Sequence, residues 1–159
     1  MTRDRFIELV RVEQEPLRRF LLALCGGDRD SAEDIAQDTL VKAYLASSGY
    51  AERYKFRTWL FKIAYRTFLD YAKRPRFDSL SELSCLSEKS DLEADVAFRH
   101  EALYHAINQL PEQSRAAVLL YHIEGYSIAD IAAITHSNPI AVRQRLSRGL
   151  KKLKTILER

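Results

Sequence analysis

The stretch SIADIAAITHSNPIAVRQRLSRGLKKLK, residues 127–154, decides the fold. Ser127 stands three residues before Asp130. That spacing starts a helix, because the hydroxyl takes up a free backbone N–H and the acid suits the positive end. Ile128, Ile131, Ala132 and Ile134 supply packing atoms for a short helix. Asn138 then suits an N-cap, and Pro139 the first position of a second helix. Two helices separated by about three residues have the length pattern of a helix-turn-helix. His136 falls in the turn, where a left-handed backbone is often needed and His is among the tolerated residues.

The second of these helices divides by face. Val142, Leu146, Leu150, Leu153 and Leu157 form the expected apolar stripe. Arg143, Gln144, Ser147, Arg148 and Lys151 lie largely away from it. Residues 141–157 hold six basic side chains and no acidic one. On its own, a basic amphipathic helix is equally well a solvated one. Behind a short helix and an Asn-Pro start, it suits the DNA major groove, which admits a helix and attracts positive charge. Arg143 and Gln144, near the helix start, are the expected base readers, with Arg148 and Lys151 on phosphates. Arg145 points partly elsewhere, toward Glu112, Glu124 or a phosphate.

Working outward, residues 110–123 read as one helix with Pro111 at its first position and Gly125 as its cap. Residues 97–109 regain helical spacing through Phe98, Leu103, Ala106 and Ile107. The stretch before them, 76–96, holds six acidic residues and five serines without lasting periodicity, and reads as a flexible acidic linker. The first 75 residues read as helices broken at Cys25-Gly26-Gly27-Asp28 and Ser47-Ser48-Gly49. Pro16 leaves residues 4–24 as one helix or two. The next helix is expected to open at Ser31, with Asp34 three residues on. The fold class is therefore all-α: two helical domains, 1–75 and 97–159, joined by the linker 76–96. The C-terminal domain is the helix-turn-helix.

Composition agrees. Of 159 residues, 47% are hydrophobic, enough for a packed core, while five glycines and four prolines are few for a many-stranded sheet. The net charge of +3 says little, but its distribution says more. Residues 1–75 carry 14 basic and 11 acidic side chains, 76–100 carry 3 and 6, and 101–159 carry 8 and 5. Two mildly basic ends flank an acidic middle. Cys25 and Cys85 form no Cys-x-x-Cys, and the four histidines have no ligand spacing with them. Two reduced thiols and no metal or other cofactor are expected. No stretch approaches the roughly 20 apolar residues of a membrane span, so a cytoplasmic location is expected.

The N-terminal half holds two contrasting surfaces. Asp34, Gln37, Asp38 and Val41 fall on one side of their helix, with Glu33 beside them. An acidic helix next to a DNA-binding module suits a basic protein partner, though alone it reads as a solvated face. Farther on, Tyr54, Phe56, Trp59, Tyr65, Phe68 and Tyr71 interleave with Arg53, Lys55, Arg57, Lys62, Arg66, Lys73, Arg74 and Arg76. Aromatic rings that stack on bases, mixed with cations that neutralise phosphates, suit unpaired DNA better than duplex.

Together these segments carry a resemblance. SAEDIAQDTLVKAY at 31–44 resembles the polymerase-binding segment of extracytoplasmic-function (ECF) sigma factors, of the sigma-70 superfamily. FRTWLFKIAYRTFLDYAKR at 56–74 resembles their promoter-melting segment. LPEQSRAAVLLYHIEGYSIADIAAITHSNPIAVRQRLSRGLKKLK at 110–154 resembles their C-terminal helix-turn-helix. Order and spacing agree as well.

The resemblance implies a bacterial promoter-specificity subunit that carries core RNA polymerase to promoters and initiates transcription. It implies that Asp34, Gln37, Asp38 and Thr39 dock on a coiled coil of the largest polymerase subunit. Tyr54, Lys55, Arg57, Trp59, Lys62, Tyr65 and Arg66 would hold the opened minus-ten element, where flipping a base out costs a few kcal/mol. Arg143, Gln144, Arg145, Ser147, Arg148 and Lys151 would read the minus-thirty-five element. Further implied are contact with the polymerase flap region, a separate anti-sigma factor, a monomeric free state and no enzymatic activity. The chain departs from the family pattern at Arg66 (usually Asn), His136 (usually Gly) and Ser137 (usually apolar).

The alternative is a helix-turn-helix regulator that binds duplex DNA without being a polymerase subunit. It needs neither the basic-aromatic helix nor the acidic face. An enzyme would need clustered carboxylates or a His-based acid/base pair; Asp34 and Asp38 lie a helical turn apart, but no third ligand is evident.

Overall fold

The structure is a computed structural model that describes residues 1–51, 55–74 and 94–158, without the side chains of 94–100. Its elements are α1 (Arg3–Leu24), α2 (Arg29–Ala46), α3 (Phe56–Ala72), α4 (Ala94–Asn108), α5 (Glu112–Val118), α6 (Ile128–Ile134) and α7 (Pro139–Leu157). A 3-10 turn, Ser47–Gly49, comes after α2, and a π turn, Leu119–Ile123, after α5. Among the described residues there is no strand, and the all-α reading holds. The linker read at 76–96 lies outside the described residues as far as 93. Its last three residues already belong to α4.

Helix α1 runs unbroken through Pro16, which settles the choice between one helix and two. Proline removes a single N–H, and buried Phe6 before it and Leu17, Phe20, Leu21 and Leu24 after it hold the helix on both sides of that gap. Its end is the expected glycine pair, with φ of 68° at Gly26 and 90° at Gly27. Gly26 also permits a close approach: a Cβ there would lie 2.6 Å from Asn108 Oδ1 at the end of α4. Helix α2 starts two residues before the expected Ser31. Asp28 caps it, accepting from the Ser31 N–H at 3.2 Å and the Ser31 hydroxyl at 2.7 Å. Asp28 has the extended backbone that an N-cap requires, whereas Ser31 already lies inside the helix.

The C-terminal half obeys its capping signals. Ser127 Oγ accepts from Asp130 N at 3.1 Å, and Asn138 Oδ1 from Ala141 N at 2.9 Å. Pro111 is the N-cap of α5 rather than its first helical residue. On α7 the stripe also needs correction. Val142, Leu146, Gly149 and Leu153 are buried, whereas Leu150 and Leu157 are exposed. At 3.6 residues per turn a buried row alternates steps of four and three, so it passes through Gly149 rather than the bulkier Leu150. Gly149 is small for a reason: a Cβ there would lie 2.9 Å from Val118 Cγ2.

The two halves share one buried core. Phe20 of α1 stacks on Phe61 of α3 at 5.4 Å between centroids, and Phe61 meets Tyr126 at 5.3 Å. Tyr126 reaches that place because of the π turn. Glu124 N donates to Leu119 O at 3.0 Å, and Tyr126 N to Leu120 O at 2.9 Å, with Gly125 at φ 77°. One extra residue in the turn rotates the next residues by roughly 100° relative to α-helical register. The result carries Glu124 and Tyr126 inward, against α1 and α3.

Candidate nucleic-acid interface

The turn between α6 and α7 has the geometry a reading helix requires. His136 takes φ 53°. His136 N donates to Ala133 O at 3.4 Å and Ser137 N to Ala132 O at 2.8 Å, closing α6 with a left-handed cap. The Ser137 hydroxyl, in place of an apolar side chain, meets Thr135 Oγ1 at 2.8 Å. Asn138 then fixes the direction in which α7 leaves. Arg143, Gln144, Ser147, Arg148 and Lys151 are exposed on it, and Arg145 is half-buried. Glu124 is engaged elsewhere and does not pair with Arg145. A cleft of about 530 Å³ runs beside α7, lined among others by Ser114, Gln144, Arg145, Arg148 and Lys152. Lys152 was not among the expected contacts. Its place four residues after Arg148 was the signal that could have found it.

Helix α3 distributes its expected DNA residues unequally. Tyr54 lies outside the described residues. Lys62 and Arg66 are exposed. Trp59 is half-buried in an aromatic group, 5.0 Å from Tyr50 and 5.6 Å from Phe56. Three others are engaged inside the chain. Lys55 Nζ lies 3.7 Å from Asp130 Oδ2. Tyr65 is buried, and burial pushes its phenol up to about 12. The guanidinium of Arg57 lies over the Tyr126 ring at 4.5 Å, donates to Glu124 O at 2.9 Å and stands 3.3 Å from Glu13 Oε2. Burial raises the Glu13 carboxyl above its usual range, with Arg57 opposing and Glu124 adding to the shift.

On α2 the structure sorts the four expected docking residues. Asp34, Gln37 and Asp38 are exposed together. Thr39 is not part of that face. It is fully buried and its hydroxyl donates to Ile35 O at 2.6 Å, so it belongs to the core. Beside the acids, Val41 and Leu45 are 59% and 74% exposed. An acidic patch bordered by bare aliphatic side chains is surface available to a partner. Glu33, next to it, is held below the usual carboxylate range by its hydrogen bond from Arg18. Among the described residues no group of three or more His, Cys, Asp or Glu is placed to hold a metal ion.

Residues 9–77 match the sigma-70 region 2 family, and residues 100–153 match sigma-70 region 4. The chain is 31% identical to ECF RNA polymerase sigma factor SigE of Mycolicibacterium smegmatis, over 94% of this chain and 60% of that protein. It is 32% identical to ECF RNA polymerase sigma factor SigG of Mycobacterium tuberculosis, over 89% and 47%. It thus spans about half the length of these curated relatives. The structure of the sigma factor RpoE in complex with the anti-sigma factor NepR, from Bartonella quintana, superposes with a TM-score of 0.77 at 25% identity, covering 97% of each chain. Two family matches in the right order, over most of the chain, agree with the capped helices and exposed faces described above: the chain belongs to the ECF sigma factors of the sigma-70 family.

Proposed function

We propose that this chain is a promoter-specificity subunit that binds core RNA polymerase, recognises minus-thirty-five and minus-ten elements, opens the promoter and so initiates transcription. Residues 1–75 act as region 2 and 97–159 as region 4. Asp34, Gln37 and Asp38, with Val41 and Leu45 at their edge, dock on the polymerase. Arg143, Gln144, Ser147, Arg148 and Lys151 face the upstream element, with Arg145 and Lys152 on the flanking backbone. Lys55, Arg57, Trp59, Lys62 and Arg66 serve the downstream element, and the buried Tyr65 supports α3 from the core. Polymerase does the chemistry, and this chain supplies binding energy and orientation. Its place of work is the bacterial cytoplasm, where polymerase is. A separate anti-sigma factor is its natural regulator, as NepR is the partner in the related complex.

The observation that carries this reading is the exposed carboxylate face of α2 in a chain whose α7 exposes Arg143, Gln144, Ser147, Arg148 and Lys151 and carries no acidic residue. DNA repels the first face and attracts the second, so the two need different partners. The test is co-elution of the purified chain with bacterial core RNA polymerase on a sizing column at moderate salt. One-to-one co-elution is expected. A folded chain that fails to co-elute but binds duplex DNA tightly would instead be a regulator of the ordinary helix-turn-helix kind.

A further inference from the structure

Helix α7 leaves an aliphatic side chain in the middle of its reading face. Ile140 follows Pro139 in the first turn and is 67% exposed. At about 100° per residue, it lies roughly 160° around the helix from the buried Val142, so it points away from the core. Arg143 lies about 60° to one side of it and Gln144 about 40° to the other, while Ser147 and Lys151 each lie within about 20°. All four are exposed. Ile140 thus stands among the groups expected to meet DNA rather than at their border. The exposed Leu150 differs, because it lies about 15 Å farther along the axis and about 80° around it.

The helix itself gains nothing from an isoleucine here, since alanine is the better helix former. What the position does offer is rigidity. Asn138 Oδ1 accepts from Ala141 N at 2.9 Å and fixes the first turn, and a β-branched side chain in a helix keeps to one dominant rotamer. In a helix-turn-helix complex the N-terminal residues of the second helix meet the base edges. Among the groups that those edges display in the major groove, only the C5-methyl of thymine is apolar.

We propose that Ile140 is a specificity-determining residue that contacts the C5-methyl of a thymine in the upstream element. This rests on the reading of α7 as the helix that enters the duplex, and it adds a base identity that the flanking polar side chains do not supply. Thymine and Ile140 cover apolar surface on each other. Adenine, guanine or cytosine would instead set a hydrogen-bonding group against a side chain that cannot answer it.

The test uses the full chain reconstituted with bacterial core RNA polymerase, and a pool of duplexes randomised across the upstream element. Core polymerase alone is the control. In the duplex that the parent selects, each thymine is replaced in turn by deoxyuridine, which removes the methyl and keeps every hydrogen-bonding group. At one thymine the exchange is expected to weaken binding about fourfold, the scale of burying a single methyl group. Ile140→Ala should keep the parent's helix content by circular dichroism and bind the thymine and deoxyuridine forms of that duplex alike. The two changes are then coupled rather than additive, as a direct contact requires.

A selected element without thymine, or one in which every thymine can be exchanged without loss, overturns the proposal. So does a methyl effect that survives in Ile140→Ala, because another side chain then holds the methyl. Selection of no upstream sequence beyond that of core polymerase sinks the reading of α7 itself, and the proposal with it. Sharp selection without a methyl effect leaves that reading standing and removes Ile140 alone.

Discussion

The Tyr71 hydroxyl donates to Asp34 Oδ2 at 3.3 Å, tying the last turn of α3 to the acidic face of α2. Asp34 thus serves the fold as well as its surface. Asp38, one turn farther along, is exposed and joins no ion pair among the described residues. The two carboxylates therefore separate docking from stability. Asp38→Arg is expected to abolish co-elution with core polymerase while shifting stability by no more than about 0.5 kcal/mol, as for an ordinary surface change. Normal polymerase binding by this variant would place the docking face elsewhere.

On α7 the expected roles differ by position. Arg143, in the first turns, is placed to read a base edge, whereas Lys152 lines the cleft toward α5. Arg143→Ala should weaken upstream-element recognition by about 1–3 kcal/mol and relax preference at one base position. Lys152→Ala should weaken all sequences alike and reduce the salt slope of binding by about one. Binding of the holoenzyme to promoter variants at several salt concentrations measures both. An unchanged preference in the first variant removes Arg143 from the readers.

Capping chemistry made the C-terminal half legible in advance. Ser127, Asn138, Pro139 and His136 each have a local conformational consequence, and each is realised. Less was legible where partners lie far off in sequence. Arg57 and Glu124 are 67 residues apart, and no periodicity predicts that they meet. Nor does any local signal mark the π turn that directs Glu124 inward. Thr39 shows the opposite failure: it borders a genuine polar face, but a side chain one step around the helix is already core. On α7, residue type points to Leu150 for the buried stripe, whereas the 3.6-residue period points to Gly149, and the period prevails.

The buried Tyr65 phenol gives the chain an alkaline limit. Burial raises it from the ordinary 10 to about 12 in the folded chain. The neutral phenol is favoured by folding, so its stabilising contribution is complete below pH 10 and is lost as pH rises through about 12. Thermal melts between those values should show falling stability, and phenolate absorbance should lag behind that of exposed tyrosines. Tyr65→Phe should flatten the decline. An equally steep decline in that variant would assign the effect to Tyr126, which burial also raises.

His136 offers the clearest route to a more stable chain. It is the only non-glycine residue with positive φ among the described residues, at 53°, and its side chain is exposed. A left-handed conformation costs an L residue roughly 1–2 kcal/mol, and glycine nothing of the kind. Glycine gives part of that back through the greater freedom of the unfolded chain. His136→Gly should therefore stabilise the protein by about 0.5–1 kcal/mol net. The cap is made by backbone atoms, Ser137 N to Ala132 O, so it survives the change and α7 keeps its direction. Denaturant midpoints give the sign directly, and duplex affinity should not move. A destabilised variant would mean that the imidazole makes a contact worth more than the strain, and the turn would then owe its shape to the side chain rather than to the backbone.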